Sequence, residues 1–123
     1  VGDIFSFDGR VGRKTYWLWS FLIFAVLFVA IMIVGGAVSL TADPTTNEVS
    51  DGGVALAGTT FFIAYIVATV ASLSTQVKRW HDRGKSGWWA LIGFVPYVGS
   101  LWVLVECGFL AGTPGPNQYG QQP

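Results

Sequence analysis

Apolar positions in this chain gather into three long runs. Residues 15–42, 52–77 and 86–105 contain no Asp, Glu, Lys or Arg. Each meets or exceeds the roughly 20 residues that an α-helix needs to cross a hydrocarbon core of about 30 Å. The pattern predicts an all-α integral membrane protein, a small helical bundle forming a single membrane domain. Two full transmembrane helices are expected at residues 16–40 and 54–77, with a third, broken membrane segment at 88–110. Between them lie a basic lead (1–15), an acidic loop (41–53), a basic turn (78–87) and a turn-rich tail (111–123).

The third run is interrupted in its middle. Pro96 removes a helical hydrogen bond and Gly99 follows it, so a straight helix is not expected. Either one kinked span leaves the C-terminus outside, or a helical hairpin turning at residues 96–100 returns it to the cytoplasm. Glu106 favours the hairpin. There it comes back to the level of the basic turn, where Arg79 or Lys85 can pair with it, whereas a kinked span leaves it without a cation near hydrocarbon.

Composition agrees with the membrane reading. The chain is 52% hydrophobic and 11% charged, against about 25% charged in a soluble domain. Net charge is zero, so no global basic field attracts nucleic acid. All seven basic residues lie in two clusters, Arg10, Arg13 and Lys14, then Lys78, Arg79, Arg83 and Lys85. The loop with Asp43, Glu48 and Asp51 has none. Lysine and arginine asymmetry therefore places both clusters in the cytoplasm and that loop outside.

Along the second run, Ala64, Ala68, Ala71, Ser72 and Thr75 form a stripe of small residues at spacings of three and four, which permits close helix packing. Extending that helix past the membrane surface brings Arg79 and Asp82 to the same side. The stretch KRWHDRGKSGWW (residues 78–89) then reads as an interfacial turn: cations in the last helical turns, Gly84 as terminator, and Ser86 as N-cap of the next segment. Trp17, Trp80, Trp88 and Trp89 suit the headgroup layer.

The blocks FSFDGRVGRKTYW (5–17), VKRWHDRGKSGWWALIGFVPYVGSLW (77–102) and GTPGPNQYG (112–120) resemble, in that order, the signature blocks of the YhaH-like bacterial inner-membrane proteins, the family of domain of unknown function 805. The resemblance implies a small helical protein of the bacterial inner membrane and supplies no reaction. Family members often continue into a charged tail. Residues 121–123 carry no charge here, so the tail gives no orientation signal of its own.

Candidate chemistry is limited. His81 beside Asp82 could act as a base with its orienting carboxylate, with Asp8 and Glu106 as further acids. The simpler alternative pairs Asp8, Asp82 and Glu106 with arginines or lysines as structural ion pairs. One His and one Cys, without a ligand-spacing motif, form no recognisable metal or cofactor site, and Cys107 reads as a small buried residue. FDGRVGRK (7–14) lacks the spacing of a nucleotide loop. Its cations, like Lys78, Arg79, Arg83 and Lys85, are better matched to anionic lipid headgroups. Two functional classes follow. One is a non-enzymatic scaffold or accessory subunit holding anionic lipid and a membrane-protein partner or a second copy. The alternative is a membrane enzyme or transport component acting on a phosphorylated lipid or small solute at the Arg/His/Asp cluster.

Overall fold

A computed structural model of the chain describes residues 4–123; the first three positions of the basic lead lie outside the described residues. Helix α1 runs over Arg13–Thr41 and helix α2 over Asp51–Asp82. At 1.5 Å per residue they are about 44 and 48 Å long, more than a hydrocarbon core requires. A 3₁₀ helix (Gly87–Phe94), a short helix α3 (Val98–Val103) and a π-helical turn (Leu104–Phe109) follow. Among the described residues there is no strand, only one bridge between Asn117 and Gly120.

Leu18, Phe21, Phe24 and Phe28 on α1, and Phe62 and Ile63 on α2, are exposed. A soluble protein would bury such side chains. Two helices long and apolar enough to cross a bilayer, with bare apolar surfaces, define a small helical membrane protein.

The chain divides into two compact units. In Leu22–Thr69, α1 contributes half-buried Ile23, Leu27, Ala30, Val34 and Val38, and α2 contributes half-buried Gly53, Ala57, Ala64 and Ala68. The spacing of three and four on each helix makes one inward face, large aliphatic on α1 and small on α2. A cleft of about 300 Å³ remains beside Val34, Ala37, Leu56 and Ala57. In the connecting loop the Asp43 carboxylate accepts from the Thr45 N–H (2.8 Å) and hydroxyl (2.6 Å). These bonds, with the Thr46 N–H, hold its carboxyl below the usual range.

The other unit comprises residues 4–21 and 70–123. Its core is Val11, Tyr16, Trp19, Trp80, Ala90, Val103 and Cys107. Ala71 and Thr75 are buried here and Ser72 is half-buried, continuing the small-residue face. α2 ends as the sequence expects. Gly84 has φ +76°, its N–H donates to the His81 carbonyl (2.9 Å), and the Lys85 N–H donates to that of Trp80 (2.9 Å), a Schellman ending that only a residue free to be left-handed accepts readily.

The third segment folds back on itself. Ser86 caps it, its hydroxyl accepting from the Trp88 N–H at 3.4 Å, but the first limb is 3₁₀ rather than α. Tyr97 has φ 62° and ψ −66°, and the Val98 N–H donates to the Pro96 carbonyl (2.7 Å). This is a γ-turn, a strained conformation for a residue with a side chain. α3 then packs against the 3₁₀ helix. Gly99 is essential to that contact, because a Cβ there would run into the Ile92 carbonyl.

Candidate functional site

Any helix leaves its last four carbonyls without partners and a partial negative charge at that end. Two helix ends of this kind meet in the unit just described, that of α2 at Asp82 and that of the third segment at Phe109. The basic residues lie between them.

Five successive carbonyls at the end of the third segment are each capped by a side chain. Cys107 accepts from Arg79 Nε (2.6 Å), Gly108 from Trp17 Nε1 (2.8 Å), Phe109 from Arg13 Nη1 (3.1 Å), Leu110 from Arg79 Nη2 (2.5 Å), and Ala111 from an Arg83 Nη1 donor. Leu110 also donates its N–H to Val105 (3.1 Å), the widened turn that exposes these carbonyls. Gly108 lets Trp17 in, since a Cβ would lie 2.7 Å from the indole.

The end of α2 is capped by other parts of the chain. The Val11 N–H reaches the Lys78 carbonyl (3.2 Å), the Asn117 amide reaches that of His81 (2.9 Å), and the Thr113 N–H reaches that of Asp82 (2.6 Å).

Asp82 ties these layers together. One carboxylate oxygen takes Arg10 (2.8 Å to Nη2, 3.0 Å to Nε), and the other takes Arg79 Nη1. Arg10 then extends to the tail carbonyls of Thr113 (2.6 Å), Gly115 (2.7 Å) and Gly120 (3.2 Å). The side chains of Arg10, Arg79 and Asp82 are 1%, 0% and 5% exposed. Removing charge from water is costly unless it is paired and its hydrogen bonds are filled; here both conditions hold.

His81 and Asp82 do not form a catalytic pair. The Asp82 carboxylate is held by two arginines, while His81 Nδ1 meets the Gly9 carbonyl at 3.0 Å. A carbonyl only accepts, so the proton sits on Nδ1. The imidazole stacks on Tyr119, centroids 3.9 Å apart and planes at 4°.

Glu106 returns to the basic turn, but its partners are Lys85 and, at 3.4 Å, Arg83. Of the two cations expected for it, Arg79 is engaged elsewhere. Its second oxygen accepts from Trp102 Nε1 (2.6 Å). The Lys85 ammonium also sits 4.8 Å from the Trp89 ring and 5.5 Å from that of Trp80.

Several sequence expectations need correction. Lys78 is buried over the Trp19 ring (4.5 Å), and with Arg10 and Arg79 it is withdrawn from any lipid phosphate. Arg13 and Lys14 are exposed, and Arg83 and Lys85 partly so. Asp8 is exposed and makes no ion pair among the described residues. Trp80 is fully buried and Trp17 turns its N–H inward, so of the four expected anchors Trp88 (79% exposed) and Trp89 (38%) stay outward. Pro96 and Gly99 flank the observed turn. Sequence reasoning missed the capped carbonyls and the roles of Asn117 and Tyr119. One signal was present: seven cations against few nearby carboxylates, beside a glycine-rich tail.

Such a chain, with two apolar spans and a charged knot that secures a folded-back segment, is a small helical membrane protein. It belongs to the family described as Protein of unknown function (DUF805), whose model matches residues 4–121. Inner membrane protein YhaH of Escherichia coli K12 is 31% identical over 118 residues, covering 96% of this chain and 87% of that protein. Inner membrane protein YhaI of the same organism is 32% identical over 119 residues, with 96% and 86% covered. The uncharacterized protein YiiR is 28% identical over 142 residues, again with 96% and 86% covered. No solved structure matches the chain.

Proposed function

We propose that this protein is a non-enzymatic scaffold or accessory subunit of the bacterial inner membrane, with its basic segments and both termini on the cytoplasmic side. It holds anionic lipid through the cations left at its surface and meets a membrane partner, another protein or a second copy, through its helices. One observation carries this reading. The charged groups that would make a reactive centre are consumed in joining two helix ends, with Arg10, Arg79 and Asp82 buried and their hydrogen bonds filled. A His–Asp base needs its carboxylate to orient the imidazole, whereas Asp82 is held by Arg10 and Arg79 and His81 Nδ1 is on the Gly9 carbonyl. Arg13 and Lys14 remain outward beside a membrane helix, where each cation attracts anionic lipid by about 1 kcal/mol.

The test is mass spectrometry of the protein released gently from its own membranes. Enrichment of anionic phospholipid over the bulk composition, with a protein partner or second copy at fixed stoichiometry, is expected. A monomer carrying lipid in the bulk ratio contradicts the proposal.

A further inference from the structure

The knot encloses a second feature that none of the above uses. A cavity of about 200 Å³ opens beside it, lined by Gly12, Arg13, Asp82, Gly112, Thr113 and Gln122 among others. We propose that this cavity binds a single phosphate group; the inference rests on the anionic-lipid reading and gives it a defined location.

Charge is the first reason. Among the side chains that line it, Asp82 carries the one carboxylate, and both its oxygens are already paired, one with Arg10 and one with Arg79. Two guanidinium groups against one carboxylate leave a positive excess, and Arg13 on the rim adds another. A cation is therefore repelled and an anion drawn in.

Unused donors are the second reason. Arg13 gives one N–H to the Phe109 carbonyl, which leaves the rest of its planar fork for a bidentate contact with phosphate oxygens. The Gly112 N–H makes no hydrogen bond among the described residues. Gln122 accepts from the Gly115 N–H through Oε1 (2.8 Å), so its amide N–H groups are left to donate. Arg13 opens α1, directly after Gly12, and the first-turn N–H groups of the helix add to the positive field.

The walls are fitted to this shape. Gly112 brings backbone against the Asp82 carboxylate, where a Cβ has no room. Gly12 faces open space, its Cβ position meeting only Pro123 at 3.8 Å or more. A side chain at residue 12 would occupy the cavity without removing a cation. The phosphate group can come from a lipid headgroup or from a free phosphorylated solute.

Two probes separate these sources: inorganic phosphate, titrated by ³¹P NMR into protein in phosphatidylcholine nanodiscs, and phosphatidylglycerol, whose retention from mixed nanodiscs is measured by native mass spectrometry. Binding of the first assigns a free phosphate group; retention of the second alone assigns a headgroup. In both cases Arg13→Gln and Gly12→Leu should each weaken binding about tenfold, the loss expected for a charge-assisted contact. Lys14→Gln, which removes an exposed cation that lines no part of the cavity, should weaken binding by at most about fivefold, the worth of one surface cation, and so by less than Arg13→Gln; Gly12→Leu, which removes no charge, is the deciding variant. Circular dichroism melts confirm that each variant is folded.

Equal weakening by Arg13→Gln and Lys14→Gln, with Gly12→Leu inert, would mean diffuse surface attraction. That overturns the cavity site and leaves the lipid reading standing. If the wild-type protein neither binds phosphate nor retains phosphatidylglycerol, both are removed.

Discussion

Arg79→Met is the sharpest perturbation of the knot. Methionine keeps much of the side-chain volume but none of the donors. The change strips a partner from Asp82 and leaves the buried carbonyl of Cys107, and the partly exposed one of Leu110, without a donor. Breaking one side of a buried ion pair costs about 3–5 kcal/mol, at the lower end here because Arg10 remains. The orphaned buried carbonyl of Cys107 adds about 1–3 kcal/mol. A total of roughly 4–6 kcal/mol is a large part of the about 5–15 kcal/mol that holds a domain folded. At about 3–6 °C per kcal/mol for a chain of this size, the melting temperature in detergent should fall by about 12 °C or more. Arg79→Lys discriminates further. It keeps the charge, but one ammonium cannot span acceptors set around a planar fork, so it should recover less than half of the loss. In the cycle with Asp82→Asn the two changes should couple by at least about 1 kcal/mol. A fall of less than about 3 °C for Arg79→Met, or full rescue by lysine, would refute the capping argument.

Other consequences are as specific. Tyr97→Gly should raise the melting temperature by the equivalent of about 1 kcal/mol, because it relieves the γ-turn at a side chain that is 87% exposed and so has little packing to lose. Gly112→Ala should sharply reduce the folded amount by driving a methyl group into the Asp82 carboxylate, whereas Gly52→Ala, with nothing within 4 Å, should not.

Much of the architecture was legible in the sequence because lipid imposes simple rules. Uncharged runs long enough to cross a bilayer give the two helices, and Gly84, Ser86, Pro96 and Gly99 mark where the chain must turn. The charged residues were harder to read. Sequence reasoning pairs a cation with a carboxylate, and on that basis Arg10 or Arg79 with Asp82 could be anticipated. Backbone carbonyls have no letter in a sequence, however, and most acceptors of Arg10, Arg79 and Arg83 are of that kind. The same blind spot made Arg10 and Arg79 resemble lipid contacts. Adjacency is a poor guide to pairing: His81 and Asp82 are neighbours in the chain, yet a helix directs them to different partners, the Gly9 carbonyl and two arginines. The third segment departs from regular α geometry where side chains must reach its carbonyls, a requirement visible only after folding.

The central claim is that the basic block binds the end of the third segment and the tail to the base of α2, on the same membrane face as the N-terminal lead. Side-specific labelling tests it most directly. Gln118→Cys and Lys14→Cys, introduced singly into Cys107→Ala protein in native membranes, should react with an impermeant maleimide from the same side, opposite to Thr46→Cys in the loop between the spans. Reaction of Gln118→Cys from the Thr46 side would contradict it.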